Sequence, residues 1–267
     1  MNKISNFVEL KKSSKIWAIG SIHSNLNSFN SIKKFIINNF NYDDKLIFLG
    51  NVIGLGDFSK ETLDSVIDLR FNLMSKFKLK PESIVFLRGA QEEMFTKLLQ
   101  LQLAPNPIEI IEWMFDHGVD KTLNSYGYSE IEAKNIATSG TINISKWTAT
   151  LNKTLQLSPG HTQYFLNLKH AAYSHTKKIL FVNRGVDITR PLSAQNDCFW
   201  WGFQNFSKIQ EPYKTFLRIV RGYESEHLNQ IEISSDNVVC TLFKQPLTNN
   251  RVMCGIFGEN GEIFDLF

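Results

Sequence analysis

Residues 15–25 read KIWAIGSIHSN. Lys15 to Gly20 form a short, mostly apolar run whose length suits a strand buried on both faces, and a polar segment follows at once. Beyond it, NSFNSIKKFIINNF (27–40) places apolar residues at helical spacing. The unit recurs twice. KLIFLG (45–50) precedes a stretch with Leu63, Val66, Ile67, Phe71 and Met74 at helical spacing, and SIVFLRG (83–89) precedes EEMFTKLLQLQL (92–103). Strand, glycine-bearing loop and helix in alternation predict βαβ units and therefore an α/β fold.

From about 105 to 175 the pattern turns helical and strand-poor. NPIEIIEWMFDHG carries proline near its start and glycine just past its end, as helix boundaries prefer. SEIEAKNIA, ISKWTATLNKTL and SPGHTQYFLNL read as further helices. Strands return at KILFVN (178–183) and FLRIVRG (216–222), and hairpin-like segments NQIEIS, NVVCTLF, RVMCGIFG and EIFDLF run to the end. Glu259-Asn260-Gly261 is the expected turn between the last two. The organisation expected is one domain over 1–267, with a helical insertion at about 105–175.

Composition narrows the class. The 267 residues are 43% hydrophobic and 21% charged, ordinary for a chain that buries a full core, and 21 phenylalanines point to an aromatic one. A net charge of +3 gives no reason to expect nucleic acid or membrane as a partner. Cys198, Cys240 and Cys254 lack CxxC spacing and fit reduced thiols in a cytoplasmic protein. No run of 18 apolar residues is present, and the first residues lack a signal-peptide core.

In open α/β sheets, ligands bind beyond the carboxyl ends of the strands. Five predicted strands end here in glycine-containing loops, in the order GSIHSN, GNVIGLGD, RGAQEE, NRG and RGYESEH. This layout resembles the calcineurin-like metallophosphoesterases, and more narrowly the bacterial serine/threonine-protein phosphatase and diadenosine tetraphosphatase group. Their loops read GDxHG, GDxxDRG, GNHE, HAG and GH. LFVNRGVDITRPLSAQ also resembles the family's fourth loop with the Pro-Leu-x-x-Gln that follows. The resemblance covers roughly 15 to 267. It implies a β-sandwich of two mixed sheets flanked by helices.

The same resemblance implies a centre of two divalent cations, such as manganese, that activate water and clamp the phosphoryl oxygens. The residues depart from it loop by loop. Ser21 stands at the first aspartate position, Asn51 at the bridging aspartate, Ala90 at the ligand asparagine, and Asn183 and Tyr223 at the later histidines; His23 alone keeps the family residue. Gln91 replaces the non-ligand catalytic histidine, and Gly54 and Leu55 replace the second loop's Asp-Arg. No metal or other cofactor is therefore expected. Asp57, Glu92 and Asp187 lie near these loops, and Glu92 matches a family glutamate that supports the third loop rather than binding metal.

Arginines stand out among what remains: Arg88, Arg184, Arg190 and Arg221. Arg88 and Arg190 resemble family arginines that face phosphate or substrate. With His23 they form a candidate anion site, because guanidinium groups hold phosphate or carboxylate by paired hydrogen bonds. The competing reading is structural ion pairing with Glu92, Asp187 and Glu224. The aromatic cluster CFWWGFQNF (198–206) reads as core or as an oligomer contact, with stacking of a base or sugar as the alternative, and the scattered histidines as surface or capping groups. The expectation is a catalytically degenerate phosphatase homologue, more readily a non-enzyme, that binds a phosphate-containing ligand or a protein partner. The alternative is a phosphoesterase acting on phosphoproteins or dinucleoside polyphosphates with residual or altered metal-dependent activity. A purely structural homo-oligomer subunit is a third option.

Overall fold

Ile16–Ile19 is a strand whose four residues are all buried, because its two faces serve two different layers. The computed structural model describes residues 6–195, 197–202, 209–223, 238–243 and 251–267. In chain order the strands are β1 (Phe7–Glu9), β2 (Ile16–Ile19), β3 (Lys45–Phe48), β4 (Ile84–Phe86), β5 (Ala171–Tyr173), β6 (Ile179–Val182), β7 (Arg218–Arg221), β8 (Val239–Thr241), β9 (Cys254–Phe257) and β10 (Ile263–Leu266). They form two mixed sheets, ordered β1-β5-β6-β7-β8 and β10-β9-β2-β3-β4.

Alternation along the strands builds the layers, since successive side chains leave opposite faces. Trp17 and Ile19 of β2, Leu46 and Phe48 of β3, and Ile84 and Phe86 of β4 join one cluster with the helices. Ile16 and Ala18, Ile47, and Val85 from the same strands face the other sheet, where Ile179, Phe181 and Val220 meet them. Leu180, Val182 and Ile219 then face outward into a third cluster with Phe199 and Trp200. Burial on both faces is why these strands read as continuous apolar runs.

The helices are α1 (Leu26–Asn39), α2 (Ser59–Phe77), α3 (Ala90–Leu98), α4 (Pro107–Asp116), α5 (Val119–Ser125), α6 (Glu130–Ala137), α7 (Thr141–Leu157), α8 (His161–Leu166) and the single turn α9 (Cys198–Trp201). Asn25 caps α1 by accepting from the Ser28 N–H at 3.1 Å, and Phe29, Ile32 and Ile36 form its buried stripe. Helices α4 to α8 share their core with α1, α2, α3 and the β2–β4 face. No helix among the described residues is long and apolar enough to cross a membrane.

In NVVCTLF, β8 pairs in parallel with β7, Val220 opposite Cys240, and the hairpin expected with NQIEIS involves residues outside those described. Three expectations need correction. The reading of 105–175 as helical missed β5, whose Ala-Ala-Tyr is too short to show a period. Phe71, expected on the buried face of α2, is 58% exposed. His161, expected as a surface or capping group, is fully buried: its Nε2 bonds Asp64 Oδ1 at 2.9 Å, and its Nδ1 bonds the Tyr126 hydroxyl at 2.6 Å. The segment NQIEIS lies outside the described residues.

Candidate functional site

The loops after β2, β3, β6 and β7 meet through backbone hydrogen bonds, and the loop after β4 joins them through the side chains of Asn51 and Glu92. Ser21 N–H donates to Gly222 O at 2.9 Å, His23 N–H to Asn51 O at 2.8 Å, Ser24 N–H to Val52 O at 2.9 Å, and Gly222 N–H to Asn183 O at 2.8 Å. His23, Ser24, Asn51 and Leu55 all hold positive φ, between 48° and 62°. Non-glycine residues adopt this region at a cost of about 1–3 kcal/mol each. Surroundings that hold four such residues in two adjacent loops are strongly determined.

Neutral groups fill the centre. Asn51 Oδ1 accepts from Gln91 N–H at 3.1 Å, and its Nδ2 donates to Ser21 Oγ at 3.2 Å. Asn183, fully buried, donates from Nδ2 to Leu49 O at 2.6 Å. Backbone partners fix both amide orientations, because a carbonyl cannot donate and an N–H cannot accept. Glu92 Oε2 accepts from the N–H groups of Asn51 (2.8 Å) and Gly89 (3.0 Å). Its Oε1 accepts from Val52 N–H (2.7 Å) and the Tyr164 hydroxyl (3.1 Å). Burial holds the Glu92 pKa above the ordinary carboxylate value, and these donors offset only part of that rise. The sequence reading of Glu92 as a loop support agrees with this geometry.

His23 is buried between the rings of Tyr223 and Phe243, at centroid distances of 5.1 and 6.0 Å. Among the described residues, neither of its ring nitrogens has a hydrogen-bond partner. Burial lowers its pKa to about 3, so the ring is neutral at physiological pH.

The arginines are largely committed. Arg88 forms a short ion pair with Glu93, not with Glu92, and lies 5.8 Å from the Trp200 ring centroid. Arg190 Nε pairs with Asp187 Oδ2 at 3.0 Å. Arg221, buried, donates from Nε to Thr241 Oγ1 at 2.7 Å, and Arg184 lies 5.6 Å from the Tyr223 ring centroid. Arg184 and Tyr223 with His23 thus form one contiguous group, whereas Arg88 and Arg190 are each held by an acid of their own. Glu224 lies outside the described residues.

Two supports escaped the sequence reading. The turn between α4 and α5 closes over the second and third loops: Gln91 Nε2 donates to His117 O at 2.9 Å, and Leu55 N–H donates to Gly118 O at 3.3 Å. At Gly118, with φ of +88°, an added Cβ would stand 2.6 Å from a Leu55 methyl. Ser24, Ser59 and Thr122 form a hydroxyl chain, at 2.6 and 3.0 Å, from the first loop to α5. The serine of the first loop and a glycine ending a helix were the available signals, and neither names its tertiary partner.

These residues do not fit two divalent cations. Hard cations need anionic oxygen, and the Glu92 carboxylate that ties these loops is already filled by four hydrogen bonds. Asp57 turns away to pair with Lys121 at 3.1 Å, and Asp187 Oδ1 accepts from both Thr189 N–H and Oγ1. Among the described residues, no three His, Cys, Asp or Glu side chains cluster as a metal site would require.

No protein-family model matches this sequence, and neither does any curated protein. Solved structures do. A protein assigned as a diadenosine tetraphosphatase superposes with a TM-score of 0.52 at 13% identity, covering 98% of this chain and 97% of its own. A cold-active protein tyrosine phosphatase gives 0.54 at 11% identity, covering 96% and 76%. The cold-active protein tyrosine phosphatase of a psychrophilic Shewanella gives 0.53 at 11%, covering 96% and 78%. The fold is that of the calcineurin-like metallophosphoesterases. At these identities the likeness reaches the metallophosphoesterase fold and no further. It agrees with the two mixed sheets that the family resemblance implied.

Proposed function

We propose that this chain is a catalytically degenerate metallophosphatase homologue that binds a phosphate-containing ligand, or a protein partner, without a two-metal centre. One observation carries the reading: Ser21, Asn51 and Asn183, at positions where the fold family places metal ligands, hydrogen-bond to one another or to backbone around a saturated Glu92. Arg184, beside Asn183, is the cation closest in sequence to that centre. The three cysteines are free thiols, two of them buried, which supports a cytoplasmic setting.

The test pairs Mn²⁺ titration calorimetry with hydrolysis of p-nitrophenyl phosphate. The expected outcome is no tight Mn²⁺ binding and no turnover that a chelator abolishes. Two tightly bound ions per chain would refute the proposal. A second reading, a phosphoesterase with altered activity, has the unpartnered ring nitrogens of His23 in its favour. Chelator-sensitive turnover lost in His23→Phe would establish it.

A further inference from the structure

A groove of about 660 Å³ runs along the free side of β4, between α2 and α8, away from the carboxyl-end loops. Its walls are mainly apolar and include Ile84, Phe86, Tyr164 and the exposed ring of Phe71. Arg70 lies at its side, 5.9 Å from the Phe86 ring centroid. No described residue offers Arg70 a hydrogen bond or an ion pair, and its Nε is buried without a partner. Glu82, the acid lining the groove, is engaged by Lys11 at 2.9 Å. Lys169 adds a second positive charge.

A guanidinium partly removed from water and lacking an anion is costly, and burial already lowers its pKa. We propose that the groove is a binding site for a small amphipathic anion, with an apolar body against Phe86 and Phe71 and a carboxylate or similar head on Arg70. The volume falls within the range of small-molecule sites, roughly 300–1,000 Å³. A peptide strand fits less well, because β4 is three residues long and part of its outward backbone is already bonded. Ile84 N–H returns to Pro81 O, Phe86 O accepts from Lys169 N–H at 2.9 Å, and Arg88 N–H donates to Lys169 O at 2.7 Å. The Tyr164 ring that lines the groove carries the hydroxyl bonded to Glu92, so an occupant would touch the group that ties the loops together.

The probe is 1-anilinonaphthalene-8-sulfonate, whose fluorescence rises in apolar surroundings, titrated into the full chain. Expected is saturable one-to-one binding on the order of tens of micromolar, displaced by decanoate. Decanol, with the same tail and no charge, should compete at least about tenfold less well, as loss of a charge-assisted pair implies. Arg70→Met should weaken the probe by at least about tenfold, and Gln163→Trp, filling the mouth from an exposed position, should abolish binding. Absence of saturation, equal competition by decanol, or undiminished binding in both variants would each overturn the proposal. The decanoate-to-decanol ratio is read on the wild type, so it decides even if Arg70→Met fails to fold.

Discussion

Asn51 and His23 sit side by side, and each makes a prediction through charge. Asn51→Asp would place a carboxylate in a pocket that already holds Glu92. The new carboxylate keeps the bond from Gln91 N–H and stands beside a second buried acid, with no cation paired to either among the described residues. The expected loss is about 2–3 kcal/mol at pH 7, shrinking towards pH 5 as one of the two protonates. Urea titrations at the two pH values measure it. An unchanged midpoint at pH 7 would mean that the pocket contains a counter-charge. His23 acts in the opposite direction on the pH scale. Its folded pKa, about 3, lies below the unfolded value near 6.5, so it contributes stability that is complete above about 6.5 and is lost as pH falls towards 3. The slope from this one group is about 1.4 kcal/mol per pH unit. His23→Phe removes the proton site and retains a ring for Tyr223 and Phe243. Its stability relative to wild type should therefore rise steadily between pH 6.5 and pH 4. Parallel curves for the two proteins would show that His23 titrates normally.

The β4–α3 junction shows how an element depends on a single side chain. Glu92, in the first turn of α3, bonds two N–H groups of the loop after β3 and the N–H of Gly89, the cap of its own helix. Glutamine in its place must turn an NH₂ group toward N–H donors on one side, leaving bonds unmade and donors opposed. Glu92→Gln should cost about 3–5 kcal/mol, and Tyr164→Phe, which removes one hydroxyl donor, about 1 kcal/mol. Guanidinium denaturation compares them, and a cost for Glu92→Gln no greater than that for Tyr164→Phe would refute the central role given to the carboxylate. Elements also mark what could be read in advance. Strands β2, β3, β4, β6 and β7 were legible because doubly buried strands are continuous apolar runs, and the loops were legible because each follows such a run. Strands β1 and β5 were not, since three residues show no period. The parallel seating of β8 was not legible either, because pairing direction is decided by the neighbour and not by the strand. Phe71 and His161 failed for one reason: helical spacing and polarity give the face a residue prefers, whereas α8 and Tyr126 decide what that face meets.

At the scale of the whole molecule, the question is what joins the two sheets above the site. In this chain, bonds cross directly: Asn183 Nδ2, beyond β6, donates to Leu49 O at the end of β3 at 2.6 Å, and Ser21 N–H, beyond β2, reaches Gly222 O after β7 at 2.9 Å. Arrangements joined by metal ions are stabilised by free metal through mass action, whereas arrangements joined by hydrogen bonds are not. A site with a dissociation constant of about 10 μM in about 1 mM Mn²⁺ would add roughly 2.7 kcal/mol. For a chain of this size that amounts to roughly 5–10 °C in melting temperature. The expectation is a melting temperature that agrees within about a degree in 1 mM Mn²⁺ and in chelator. Asn183→Ala supplies the positive control, because it removes a buried bond that crosses between the sheets. It should lower the midpoint by several degrees under both conditions, in keeping with a loss of about 1–3 kcal/mol. A wild-type melting temperature raised by several degrees in Mn²⁺ would contradict the account of the site given by Asn51, Asn183 and the saturated Glu92.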